Sequence, residues 1–227
     1  MPLPRATQYV TGTSVVAFTY ADGVMIAADT LAAYGSTLRY KDVVRIKKVN
    51  ETTCLGFGGE VSDATQIMKY LDEIATDDFC EDDGAPLEPK EVHSYLTRVM
   101  YNRRSKLDPL WNSLVVAGRS KGESFLGSVN LLGIAYKDDM IATGFGNHLA
   151  IPLLRAEHRP DMSAAEARAL MERCLSVCYY RDKNSINKFV MGTVTDAGVK
   201  ISEPFAVGTK WDLKAYENPS QHAVGTW

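Results

Sequence analysis

The sequence predicts an α+β domain in which antiparallel sheets are layered against helices. Two observations predict it. The apolar periodicity gives the order strands, two helices, strands, two helices, strands and tail. Short turns, and no helices, join neighbouring strands, which is typical of antiparallel sheets and not of βαβ units. The chain has 227 residues, 45% of them hydrophobic, which suffices for one core without a disulfide or metal.

The first part of the chain predicts a series of strands. "TSVVAFTYADGVMIAADT" (13–30) contains two apolar strands around Asp22-Gly23, which is a strong hairpin signal. "STLRYKDVVRIKKVN" (36–50) alternates in polarity, and "TTCLGFGG" (52–59) is nearly all apolar. Both are predicted to be strands, the second ending at Gly58-Gly59.

Two helices are predicted next. The first shows apolar residues at spacings of three and four, and these are Ala64, Ile67, Met68, Leu71, Ile74 and Ala75. The acidic segment "TDDFCEDDGAP" (76–86) has few apolar residues and is expected to be an exposed loop. Pro89 suits the first turn of the second helix, whose apolar stripe is Val92, Leu96, Val99 and Met100. The basic run at its end, 103–106, favours the helix dipole, so we expect a solvated or subunit-contacting terminus there.

After Pro109 the pattern returns to strands, in "NSLVVAG", "SFLGSVNLLG", "IAYKDD" and "MIATGFG". A short helix is expected over "NHLAIPLLRAEH". A longer one begins at the capping box formed by Ser163 and Glu166, and its apolar stripe is Leu170, Met171, Cys174, Leu175 and Cys178. "NKFVMGTVTDAGVKI" predicts a last strand pair. From about Pro204 the chain is of mixed polarity with spaced aromatics, and we expect this tail to pack against something outside the domain.

Composition argues against several classes of protein. The formal net charge of −3 does not suggest a nucleic-acid or anionic-membrane partner. No apolar run approaches the ~20 residues of a membrane span, and "MPLPRATQYV" lacks the apolar core of a secretory signal. We find no GxGxxG or P-loop and expect no cofactor.

The four cysteines show no zinc-like pair. Cys174 and Cys178 lie four residues apart on a predicted helix and could in principle hold a metal. Since no histidine or second cysteine pair is nearby, buried free thiols of a reducing compartment are the favoured interpretation for all four, Cys54 and Cys80 included. No metal site is therefore expected.

Four segments together are specific to one family. "TGTSVVAFTYADGVMIAADTLAAYGS", "GFGGEVSDA", "ATGFGNHLA" and "YYRDKNS" are similar, in order and spacing, to proteasome beta-type subunits of the T1 peptidase family. The resemblance covers essentially the whole chain. It implies a four-layer αββα sandwich of the N-terminal nucleophile hydrolase type. It also implies an extension or residual propeptide (1–12), a beta-type domain (13–203) and a tail for inter-subunit contacts (204–227).

The resemblance implies where an active site would lie. In active members a threonine freed by cleavage after a glycine attacks the peptide carbonyl, and its own α-amine, with a pKa of about 8, is the base. A lysine paired with an aspartate lowers the pKa of the attacking group, and a serine with an aspartate–serine set steadies the amine. Thr13 after Gly12, Asp29, Asp182 and Ser185 match this pattern.

Other positions depart from the family pattern. Arg45 stands at the lysine position, and arginine is permanently protonated and larger than an ammonium group. Phe145 stands at the serine position, and its ring cannot make the hydrogen bond that the amine requires. Leu31 replaces a basic residue that helps position substrate, and Ile186 replaces a glycine. We therefore expect no catalytic residue and a vestigial site at Thr13, Asp29, Arg45, Phe145, Asp182 and Ser185.

The resemblance then implies an architectural role. "TQYVTGTSV", "YGSTLRY", "MYNRRSKLDPLWNSLVVAG" and "VCYYRDKNS" are similar to non-catalytic members of the family. Such a subunit occupies a beta ring of the 20S core particle, contacts other beta and alpha subunits, and reaches the opposite beta ring through its tail. It supports ATP- and ubiquitin-dependent degradation in the cytoplasm and nucleus.

Two alternatives remain open at this point. A working threonine peptidase would have a mature chain that begins at Thr13. A free-standing binding protein outside any proteasome would be a monomer.

Overall fold

A computed structural model describes residues 9–81 and 84–212, and the isolated positions 217, 218, 220, 224 and 225. The strands in chain order are β1 (Val10–Gly12), β2 (Val15–Tyr20), β3 (Gly23–Asp29), β4 (Ala32–Tyr34), β5 (Thr37–Tyr40), β6 (Ile46–Lys48), β7 (Thr53–Glu60), β8 (Asn112–Ser120), β9 (Glu123–Val129), β10 (Ala135–Lys137), β11 (Met140–Ala142), β12 (Phe189–Thr195) and β13 (Gly198–Ile201). The helices are α1 (Val61–Glu81), α2 (Pro89–Ser105), α3 (Gly146–Leu149), α4 (Ile151–Glu157) and α5 (Ala164–Arg181).

The described strands form two antiparallel sheets. The larger has the order β10-β9-β8-β7-β1-β4-β5, and β6 pairs with β7 beside this path. The smaller has the order β11-β2-β3-β12-β13. Each described strand pairing is antiparallel, as the short connections of the sequence predict.

Three apolar clusters separate four layers. One, which includes Val15, Ile26 and Val115, lies between the two sheets. A second joins the smaller sheet to α4 and α5, and a third joins the larger sheet to α1 and α2. The chain is therefore an αββα sandwich with antiparallel sheets, which confirms the predicted fold class.

The predicted helix faces point inward. In α5 each predicted stripe residue is buried, namely Leu170, Met171, Cys174, Leu175 and Cys178. The capping box is formed, since the Ser163 hydroxyl accepts from the Glu166 N–H and the Glu166 carboxylate accepts from the Ser163 N–H. Pro89 is the first residue of α2. Among the described helices, none is both long and apolar enough to cross a bilayer.

The prediction of a loop over the acidic segment 76–86 is wrong for residues 76–81, which are helical. Helix α1 continues through Glu81, about 2.8 turns beyond Leu71, its last buried residue. No glycine or proline lies between Leu71 and Gly84, so no helix-breaking residue ends the helix where its buried face ends. The Asp78 carboxylate accepts the Leu87 N–H at 3.3 Å, which ties this polar end to the start of the next helix.

The structure also differs from three of the predicted strand boundaries. The stretch 36–50 splits into β5 and β6, which join different neighbours and leave 41–45 as a connection. The hairpin forms, but Tyr20 pairs with Gly23, so the two-residue loop is Ala21-Asp22. Strand β7 runs through the glycine pair to Glu60 because the N-terminal segment supplies a second partner there.

The tail does not leave the domain at Pro204. Phe205 pairs with Phe189 on β12 through two backbone hydrogen bonds of 2.7 and 2.8 Å, and Val207 is buried. Up to residue 212 the tail therefore packs on its own domain. Tyr216 and Trp227, two of the predicted interface aromatics, lie outside the described residues.

Candidate functional site

The candidate site is built around the link between the two sheets. Strand β1 belongs to the larger sheet and β2 to the smaller, so the chain crosses between them at Thr13-Ser14. The Thr13 carbonyl lies so near Gly58 that a Cβ there would come within 2.7 Å of it. Glycine at 58 is what allows this close passage.

Strand β1 is bonded along both of its edges. Val10 and Thr11 pair with Tyr34 and Ala33 of β4, and Thr11 and Gly12 pair with Glu60 and Gly59 of β7. The N-terminal end of β1 is also fixed by a side chain, because the Glu60 carboxylate accepts hydrogen bonds from the N–H groups of Tyr9 and Val10 at 2.8 and 3.1 Å. The residues ahead of Thr13 are therefore an integral strand of the sheet.

Arg45 lies beneath this link and is fully enclosed. Its side chain is 0% exposed. Its Nε donates to the Asp29 carbonyl at 3.1 Å, and Nη1 donates to the carbonyls of Thr13 and Phe57, each at 3.0 Å. Nη2 donates to the Ser14 carbonyl at 3.0 Å and to the Asp29 carboxylate. All five N–H donors of the guanidinium are thereby used.

Asp29 completes a buried ion pair with Arg45. Its second carboxylate oxygen accepts the Ile186 N–H at 3.1 Å. Burial raises the pKa of the Asp29 carboxyl above its ordinary value, and the Arg45 guanidinium and the Ile186 N–H act in the opposite direction. Each member of this buried pair therefore neutralises the charge of the other.

Thr13 and Asp182 are brought together as the resemblance implies. The Thr13 hydroxyl donates to the Asp182 carboxylate at 2.5 Å. Asp182 follows the last turn of α5, and its other carboxylate oxygen accepts the Asn184 N–H at 2.9 Å. Ser185 instead donates to the carbonyls of Asp182 and Cys178, so its hydroxyl closes the end of the helix.

Phe145 is not part of the cluster. It precedes α3, and its side chain is 58% exposed. Another hydroxyl, which the sequence analysis missed, lies nearer to Thr13. The Ser14 Oγ is 3.5 Å from the Thr13 Oγ1 and accepts the Gly146 N–H at 2.8 Å, so it links β2 to α3. Its position next to Thr13 in the chain was the only signal that could have identified it.

The two other departures from the family pattern have simple structural effects. Leu31 is 1% exposed and belongs to the core, where it cannot orient a substrate. Ile186 is half-buried, and its backbone N–H supports Asp29. Neither side chain supplies a polar group to the site.

The space beside Thr13 is divided in two. A cleft of about 230 Å³ is lined by residues that include Gly12, Gly59, Ser113 and Phe145. On the other side of Thr13, towards Cys178 and Phe189, the cavity is only about 10 Å³, roughly the size of one water. Thr13 borders both spaces, and the carboxylates of Asp29 and Asp182 lie on the closed side.

The cysteines only partly match their expectation. Cys54, Cys174 and Cys178 are buried free thiols, but Cys80 is exposed on the extended end of α1. Burial raises the pKa of each of the three buried thiols to about 12. The expectation of burial was wrong for Cys80 because the helix carries it beyond the core.

Comparison with known proteins decides the family. A family model described as "Proteasome subunit" matches residues 9–194. The chain belongs to the proteasome subunit family. It is 49% identical over 219 residues to proteasome subunit beta type-4 of Arabidopsis thaliana, covering 96% of this chain and 89% of that protein. The corresponding Xenopus laevis protein is 48% identical, covering 90% and 85%. Proteasome subunit beta type-7 of Saccharomyces cerevisiae is 40% identical, covering 90% and 81%.

This proteasome subunit therefore brings Thr13, Asp182, Asp29 and Arg45 together where its two sheets are joined. The hydroxyl of Thr13 has a carboxylate partner, whereas the cation at position 45 is committed to backbone carbonyls. In a chain that retains the Gly12–Thr13 bond, Thr13 has no free α-amine. The contacts of Arg45 hold the link between the two sheets in place.

Proposed function

We propose that this chain is a non-catalytic, structural subunit of the 20S proteasome core, and that neighbouring beta subunits carry out proteolysis. The observation that carries the proposal is the complete use of the Arg45 guanidinium by Asp29 and three other backbone carbonyl groups. A catalytic cation must stabilise charge that develops on the nucleophile during the reaction. Arg45 has no donor left for that purpose.

The filled strand position beside Thr13 supports the same conclusion. Because β1 pairs with both β4 and β7, the edges of these strands next to Thr13 are occupied by the chain itself. An extended peptide needs a free strand edge if it is to bind by strand addition. While β1 is in place, no such edge is open at this point of the sheet.

We further propose where the subunit acts and with what. It occupies a beta ring, contacts other beta and alpha subunits, and contributes its tail to the contact with the opposite beta ring. In that position it supports ATP- and ubiquitin-dependent degradation in the cytoplasm and nucleus. Its relatives are named beta type-4 and beta type-7, and these numbered names support a defined position in the ring.

Active-site labelling tests the proposal. Purified particles that contain the full chain are treated with a peptide epoxyketone, which forms an adduct with an N-terminal catalytic threonine, and each subunit is then analysed by mass spectrometry. We expect adducts on other beta subunits, which serve as the internal positive control, and none on this chain. An adduct on Thr13 would establish the alternative, a working threonine peptidase.

A further inference from the structure

The C-terminal end of α2 is closed by a turn in which a leucine takes a position that usually belongs to glycine. The Leu107 N–H donates to the Arg104 carbonyl at 3.1 Å, and the Asp108 N–H donates to the Arg103 carbonyl at 3.0 Å. This pair of hydrogen bonds is the Schellman ending of a helix, which places one residue in the left-handed region. That residue is Leu107, with a φ of 55°, and the conformation is strained for any side chain that has a Cβ.

The strained turn is held in place and presents Leu107 to the solvent. The Arg103 guanidinium donates to the Asp108 carbonyl at 2.9 Å and pairs with the Asp108 carboxylate at 2.8 Å. Leu107 itself is 93% exposed, so burial within this chain does not offset the strain in its backbone. Backbone outliers of this kind cluster at sites where function, rather than stability, fixes the residue.

A second fixed turn lies beside α2 and also presents apolar side chains. Between β9 and β10, the Asn130 Oδ1 accepts the N–H groups of Leu132 and Ile134 at 2.9 and 3.0 Å. Gly133 lies so close to α2 that a Cβ there would come within 2.8 Å of the Tyr101 backbone nitrogen. Leu132, Ile134 and Tyr101 are 44%, 58% and 55% exposed, so three large side chains meet the solvent where the turn touches the helix.

Unpaired basic groups border these apolar side chains. Arg104 and Lys106 are exposed, and within the part of the chain that the structure describes no ion pair joins either of them to a carboxylate. The Arg104 guanidinium lies 5.9 Å from the centre of the Tyr101 ring, so the basic and the apolar groups are side by side. We call this set of residues the α2 terminal surface, and its members are Tyr101, Arg104, Lys106, Leu107, Leu132 and Ile134.

We propose that the α2 terminal surface is a docking surface for another proteasome subunit, whose contacting segment is acidic and has an apolar recess for Leu107. The unpaired cations give charge complementarity with such a segment. Both turns hold their apolar side chains in position before any partner arrives, so covering them costs little further ordering.

The composition of the surface favours a permanent partner over a transient one. Four of its six members are aromatic or aliphatic, and permanent interfaces are the more apolar class. A strained and exposed leucine is also stabilised only while a partner covers it. The inference rests on the proposed structural role and adds to it one specific contact, on the opposite helix layer from α4 and α5.

The test is a competition for places in the particle. Cells contain the parent full chain together with one variant, and mass spectrometry compares the variant-to-parent ratio in purified particles with the ratio in the whole extract. We expect Leu107→Gly to be depleted about tenfold in the particles, and Leu107→Met, which keeps an apolar side chain of similar volume, to stay within about twofold of the parent. Arg104→Glu should be depleted as well, whereas Arg104→Lys, which keeps the charge, should not.

Lys121→Gly is the matched control. Lys121 is also left-handed, with a φ of 53°, but it lies in the turn between β8 and β9 and carries a charged side chain. Each glycine variant removes the same kind of backbone strain, so we expect both to raise the melting temperature of the free full chain by about 2–4 °C. Only Leu107→Gly should be depleted in particles, and its raised melting temperature excludes poor folding as the cause.

Two results would overturn the proposal. One is incorporation of Leu107→Gly equal to that of the parent chain. The other is self-association of the free full chain, measured by sedimentation, that Leu107→Gly abolishes, because it would assign the surface to a second copy of this chain. Neither result touches the proposed structural role, which fails instead if the parent chain is missing from purified particles or carries an epoxyketone adduct on Thr13.

Discussion

At the scale of single residues, Arg45 shows how one buried guanidinium can tie together backbone from both sheets. A lysine ammonium offers three donors on a point charge, whereas guanidinium offers five in a plane. Here that plane reaches carbonyls of Thr13, Ser14, Asp29 and Phe57, which lie on or beside strands of both sheets. The Arg45 side chain therefore holds backbone of the two sheets together.

Removal of this guanidinium should cost much of the stability. Arg45→Met leaves the Asp29 carboxylate buried without its cation, and we expect the free energy of unfolding to fall by about 3–5 kcal/mol in urea denaturation of the full chain. Adding Asp29→Asn to that variant should recover part of the loss because the unpaired charge is gone. A loss below about 1 kcal/mol for Arg45→Met would contradict the structural role.

The cysteines give a second prediction at this scale. Because burial raises the pKa of Cys54, Cys174 and Cys178 to about 12, these thiols remain protonated at pH 8, and burial also shields them. Iodoacetamide should therefore label the native full chain once, at Cys80, and label all four cysteines after denaturation. Cys80→Ser should abolish labelling of the native chain. Rapid labelling of a second cysteine would show that the core around it opens.

At the scale of elements, β1 is the part of the fold that most affects the site. It is only three residues long, and its stability depends on partners on both sides and on the Glu60 carboxylate ahead of it. Gly12 permits this packing, since a Cβ there would lie 2.3 Å from the Arg45 Cδ.

Gly12→Ala should therefore disturb both β1 and Arg45. We expect a loss of about 1–3 kcal/mol in the free energy of unfolding, as for other overpacked sites. Gly208→Ala is the matched control, because a Cβ at that position meets nothing within 4 Å, and a change within about 0.5 kcal/mol is expected. Equal stabilities of the two variants would show that Gly12 is not confined by Arg45.

How much of this could be predicted from sequence differed between elements. The apolar stripe and capping box of α5 are local signals, and the structure confirms both. Strand β1 has no such signal, since it forms only where β4 and β7 leave a gap. The extent of α1 was missed because its last turns, residues 76–81, are acidic and carry no apolar stripe, and such a composition does not separate an exposed helix from a loop.

The site shows the same division. The family resemblance implied that Thr13 and Asp182 belong to one site, and a 2.5 Å hydrogen bond joins their side chains. What each donor of Arg45 binds depends on the packing of one sheet on the other, which no local pattern contains. The nearby Ser14 hydroxyl and the outward position of Phe145 depend on where β2 meets α3, and they too emerged only from the fold.

At the scale of the whole molecule, the Gly12–Thr13 peptide bond lies where the chain crosses from the larger sheet to the smaller, and we expect it to remain intact in the assembled particle. The filled strand position between β4 and β7 and the absence of a free amine at Thr13 both depend on this bond. N-terminal sequencing of this subunit, taken from the assembled particle, reports directly whether it is cleaved. We predict a mature chain that begins upstream of Val10 and reads through Gly12 into Thr13, whereas a chain that begins at Thr13 would rule out the proposed structural role of this crossing.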